Sequence, residues 1–156
     1  MYQRIILSFM LISISFGTIN TNQAEINYIE IGAHNVRQNN DGEYLIDIYA
    51  NNKQSIAGVQ LEILGGDFSI ISVDGGRSKN SGFIFHTGLK KGIILAFSME
   101  GKAIAPTHSL NKRINTLFTI KLNKKVKDSS IFDIKTLIAG PRGIKLESRF
   151  IPIVID

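Results

Sequence analysis

Three histidines, His34, His86 and His108, could ligate a metal, and four acids, Glu62, Asp67, Asp74 and Glu100, could supply the carboxylate pair that cleaves a glycosidic bond. Neither chemistry finds its spacing. The histidines stand far apart with different neighbours and fall in no metal-ligand pattern, and nothing in the placement of the acids favours any pair. A Gly-x-Ser-x-Gly elbow, a phosphate-cradling glycine turn leading into a helix and a His-Glu-x-x-His helix are all missing. The expectation is a protein without catalytic residues, metal ligands or cofactor.

Binding is the remaining class. A polysaccharide site would want planar aromatics to stack on sugar rings, yet the chain has no Trp and four tyrosines, of which Tyr2 belongs to an N-terminal leader. Of Tyr28, Tyr44 and Tyr49, the last lies on the opposite side of its strand from Tyr44, Ile46 and Ile48. It is therefore the ring expected to be exposed, and the candidate if the ligand is a glycan. Net charge is +5, with cations in short pairs, Lys90-Lys91, Lys112-Arg113 and Lys124-Lys125, all between expected strands. Solvated turns that protect strand edges account for such pairs. A nucleic-acid surface would gather them with interleaved aromatics, and no nucleic-acid partner is expected.

The elements that must position any site begin after residue 24. Arg4 followed by the apolar run Ile5 to Phe16 and a polar stretch has the form of a signal peptide, too short to be a settled membrane span. Residues 1–24 are expected to be removed, leaving Glu25 as the new N-terminus, with Thr18 as the alternative. The product would be secreted, extracellular or at the cell surface, with the periplasm possible. The chain has no Cys, so packing alone must hold residues 25–156 together as one domain.

From there the sequence alternates with a period of two. Ile56 to Leu64 sets Val59, Leu61 and Ile63 against Gly58, Gln60 and Glu62, the mark of a strand with one face buried. Similar segments are Ile26 to Ile31, Glu43 to Ala50, Phe68 to Val73, Gly82 to Thr87, Ile93 to Ser98, Ile114 to Leu122, Ile131 to Ile138 and Ile144 to Ile155. Leu117 is offset from the Phe118, Ile120, Leu122 series, and Pro152 argues for a bulge or an edge. Turn signals recur about every 8–12 residues and no helical stripe of ten residues occurs, which is the all-β sandwich pattern. Nine strands are expected, around a core that includes Ile48, Val59, Leu61, Ile63, Phe97, Phe118 and Ile120.

The order Tyr44-Leu45-Ile46-Asp47-Ile48, then Ile56-Ala57-Gly58-Val59-Gln60-Leu61-Glu62-Ile63, then Val73-Asp74-Gly75-Gly76, Gly92 to Ser98 and Leu117-Phe118-Thr119-Ile120 resembles cohesin-like domains. Val59 and Leu61 stand where that pattern usually has aromatics. The resemblance implies a nine-stranded jelly-roll β-sandwich, related in shape to bacterial carbohydrate-binding modules, and extracellular binding in place of catalysis. It implies further that the strand carrying Gln60 and Glu62 belongs to the face that meets a dockerin-like protein partner, making these two the candidate binding residues. A polysaccharide-binding module on the same sandwich is the alternative, and a hydrolase a remote one.

Overall fold

The computed structural model describes residues 28–88 and 91–156. The leader at 1–24 and the expected start of the first strand, residues 26 and 27, lie outside these. Twelve strand segments occur among the described residues: β1 Ile29–Gln38, β2 Tyr44–Asn51, β3 Gly58–Ile63, β4 Phe68–Asp74, β5 Ile84–Gly88, β6 Ile93–Phe97, β7 Thr116–Lys124, β8 Ser130–Phe132, β9 Ile134–Ala139, β10 Lys145–Leu146, β11 Ser148–Ile151 and β12 Ile153–Ile155. They form a first sheet in the order β11-β1-β2-β7-β4, a second in the order β10-β9-β3-β6-β5, and a β8-β12 ribbon. β11 joins β1 in parallel, while the other pairs are antiparallel.

Alternation decides which side chains enter the space between the sheets. Ile46, Ile48, Phe118, Ile120 and Leu122 fill it from the first sheet, and Val59, Leu61, Ile63, Ile94, Ala96 and Ile138 from the second, all buried. Leu117 and Phe118 are consecutive and both buried, because the β2-β7 register slips there: Ile48 faces Phe118 and Tyr49 faces Thr116. The extra residue is a bulge, which accounts for the offset Leu117.

Three expectations are corrected. Phe97 is not a core residue: Ile94 and Ala96 point inward, and Ile93, Leu95 and Phe97 point out. Every residue of β6 is apolar, so the strand was legible but not which of its sides faces the core, and a shift of one residue exchanges the faces. The last expected strand is three pieces, with Pro152 at the break where the chain leaves the first sheet for the ribbon. The expected eighth strand, Ile131 to Ile138, is also split, at Asp133, into β8 in the ribbon and β9 in the second sheet, so nine expected strands become twelve segments. The turn after β4 opens into a short helix, α1 Gly76–Asn80, whose start lies so close to β7 that a Cβ on Gly76 (φ 62°) would meet the Leu117 carbonyl.

α1 anchors the longest aperiodic loop. The Arg77 Nη1 donates to Asn52 Oδ1 at 3.1 Å and to the Ala50 carbonyl at 3.3 Å, and Nη2 donates to the Ala105 carbonyl. Asn52, 1% exposed, donates from Nδ2 to the same Ala105 carbonyl at 3.1 Å. Ile56 and Ile104 exchange backbone hydrogen bonds of 3.0 and 2.7 Å. The loop thus satisfies buried backbone groups at the end of β2 without being a strand.

Candidate functional site

The residues opposite the core on the second sheet form a face that register alone lays out in rows. Across β9, β3, β6 and β5, Ala139, Gly58, Phe97 and Ile84 stand side by side. The next row is Leu137, Gln60, Leu95 and His86, and the third is Lys135, Glu62, Ile93 and Gly88. Leu137 is 51% exposed, Ile84 40% and Leu95 37%. Three large aliphatic side chains on the solvent side of one sheet are a costly use of surface for an isolated domain and a usual one for a contact patch. Gln60 and Glu62, both half-buried, occupy the central strand. His86 lies nearly parallel to the Phe97 ring, with centroids 5.7 Å apart.

Sequence reasoning found the strand at the middle of this face and missed its apolar members. The signal was present in β6, which is apolar on both sides. Only its inward side is needed for the core.

The solvent side of the first sheet is polar and largely self-satisfied. Asp47 accepts from Arg37 at 3.0 and 3.3 Å, from Asn35 Nδ2 at 2.7 Å and from Thr119 Oγ1 at 2.6 Å. His34 is bonded to Thr116 Oγ1 at 2.8 Å, and burial lowers its pKa. Tyr49 is on this face, as its alternation implied, but it is not exposed: 1% of it reaches solvent. Its hydroxyl donates to Glu30 Oε1 at 3.0 Å, its ring meets His34 edge-on, and Lys112 Nζ sits 4.8 Å from the ring centroid. Burial together with the Glu30 carboxylate raises its pKa to about 12. It cannot serve as a sugar platform. Tyr49 also presses on Gly32, where an added Cβ would come within 2.7 Å of the ring. Gly32→Ala is expected to cost about 1–3 kcal/mol by displacing a packed ring, read from urea unfolding.

The groups considered for catalysis are not gathered. His34 and His86 lie on different sheets and His108 on the long loop, and no set of three metal-ligating side chains clusters among the described residues. Asp74 pairs with Lys79 at 2.7 Å and Glu100 with Lys102 at 2.6 Å, both at the surface, while Glu62 is on the solvent side of the second sheet.

Two sheets packed face to face in this order define a β-sandwich of the cohesin kind. The chain has the cohesin fold: it is similar to a non-cellulosomal cohesin from the hyperthermophilic archaeon Archaeoglobus fulgidus, with TM-score 0.57 and 14% identity over 81% of this chain and 88% of that one. It is also similar to the third ScaB cohesin of R. flavefaciens, solved in complex with a group 1 dockerin (TM-score 0.56, 16% identity, 79% and 89% covered). A third likeness is to the seventh ScaB type I cohesin from Pseudobacteroides cellulosolvens (TM-score 0.53, 14% identity, 82% and 90% covered). No protein-family model and no curated protein sequence matches the chain.

Proposed function

We propose that the protein is a non-catalytic module that recognises another protein, dockerin-like in role, through the solvent side of the β10-β9-β3-β6-β5 sheet. The observation that carries this reading is the row Leu137, Gln60, Leu95: exposed leucines on both sides of a polar residue at the centre of one sheet. An apolar centre with polar neighbours is the composition of a contact patch. The cohesin of R. flavefaciens solved with a dockerin supports the choice of a protein partner. Residues 1–24 act as an export signal and residues 25–156 as the module, working outside the cell or on its surface. The described residues contain no helix long and apolar enough to cross a membrane. Burial of Tyr49 takes away the ring on which the polysaccharide reading depended.

The test is capture of secreted and surface proteins of the producing organism on the immobilised protein, followed by affinity measurement with the isolated partner. Glu62→Arg is expected to weaken binding by about 1–2 kcal/mol or more, and Gln60→Ala by less. Leu95→Asp places a charge at the apolar centre and is expected to weaken it further, whereas Lys125→Glu serves as an unaffected control. Affinities that ignore all three face variants, with folding intact, would move the site off this sheet.

A further inference from the structure

At one end of the recognition face the rows give way to a hollow of about 560 Å³. It is lined by Gly58 and Ala139, too small to fill it, together with Phe97, Lys102 and Arg142. The hollow is continuous with the face, because Ala139, Gly58 and Phe97 are also the end row of the sheet. A Cβ on Gly58 would touch only the Ala139 Cβ, at an ordinary 3.7 Å, so the space is open and not demanded by packing.

Arg142 supplies an independent observation. It sits in the turn Pro141–Gly143 with φ 62° and ψ 20°, a left-handed conformation that glycine takes without strain and arginine does not. It is exposed and makes no ion pair among the described residues. Lys102, by contrast, is paired with Glu100 at 2.6 Å. An unspent guanidinium on a strained backbone, at the lip of an apolar hollow, is an arrangement that packing of this chain does not explain.

We propose that this hollow is the anchor point of the partner: it seats an apolar side chain of a partner segment while Arg142 holds a carboxylate on the neighbouring residue. The inference rests on the reading of the adjoining sheet as a recognition face. It identifies the partner by chemistry, as a protein presenting an aliphatic residue next to Asp or Glu.

The test uses short blocked peptides, so it does not depend on finding the partner. The isotope-labelled protein is titrated with Ac-Ala-Leu-Asp-Ala-NH2, with the same peptide carrying Asn for Asp, with one carrying Ala for Leu, and with cellobiose. The Leu-Asp peptide is expected to shift the amide signals of Gly58, Phe97, Ala139 and Arg142, and to bind about threefold more tightly than the Asn peptide. Arg142→Gly suits the backbone and so keeps the fold; it should make the Asp and Asn peptides equal. Gly58→Leu should fill the hollow and abolish the shifts. Equal binding of Asp and Asn peptides to the unmodified protein, shifts centred elsewhere, a response to cellobiose alone, or undiminished binding to Gly58→Leu would each overturn the proposal. If these arms fail while Leu95→Asp still abolishes partner capture, the hollow falls and the recognition face stands. If the peptide behaves as expected and capture ignores Leu95→Asp, the opposite holds.

Discussion

Leu61→Ala is expected to lower the unfolding free energy by about 2–5 kcal/mol, because Leu61 is fully buried on the central strand of the second sheet and a truncated side chain leaves a cavity behind. Phe97→Ala is expected to cost no more than about 1.5 kcal/mol, since only part of that ring leaves water on folding. Side-chain size alone would reverse this ranking. Equilibrium urea unfolding of the two variants reads it directly. A Phe97→Ala penalty as large as that of Leu61→Ala would mean that β6 buries its other side.

Asp47→Ala is expected to cost about 1–3 kcal/mol at neutral pH, as four hydrogen bonds to a largely buried carboxylate are lost. Burial by itself would raise the Asp47 pKa, but the bonds from Arg37, Thr119 and Asn35 outweigh it and hold the carboxyl below its ordinary value. The folded state therefore binds this proton less readily than the unfolded chain, whose carboxyl titrates near about 3.9. The stabilisation is fully present above that value and is lost as pH falls through it toward the lower folded pKa. Glu43, held down by Lys121, and Asp74, held down by Lys79, respond in the same direction. The contribution of Asp47 is isolated by comparison with Asp47→Asn: the stability gap between the two should be constant above about pH 5 and close as the solution is acidified. A gap that stays open at low pH would show that the carboxylate's charge is not what these bonds use.

Most strands could be read because one side of each is apolar and the other is not. β3 is the clearest case: Val59, Leu61 and Ile63 are buried and Gln60 and Glu62 are not, as their alternation requires. Where both sides are apolar, as in β6, local pattern fixes the strand but leaves its orientation to the neighbours, here β3 and β5. Tyr49 fails for a different reason. Its side of β2 does point away from the core, but Lys112 from the long loop and His34 from β1 cover it, and neither contact is local in sequence. The Asp47 cluster likewise joins β1, β2 and β7, and its sequence sign was only an acid between Ile46 and Ile48. Of the candidate site, the central strand was legible. The hollow beside it was not, since it is made by small residues from β3 and β9 and by a turn in which no residue type announces the left-handed Arg142.

The parallel pairing of β11 with β1 bears on how the domain would respond to a pulling force. Register joins Ile29 to Ser148, Glu30 to Arg149, Ile31 to Phe150 and Gly32 to Ile151, with both strands running the same way. A pull on the start of β1 and the far end of β11 is directed along the strands and in opposite senses, so it slides one past the other. The bonds between them are then strained together, whereas an antiparallel hairpin pulled at its two open ends gives way one bond at a time. Any load drawn through the domain along this path meets its resistance all at once, across the four register pairs between β1 and β11.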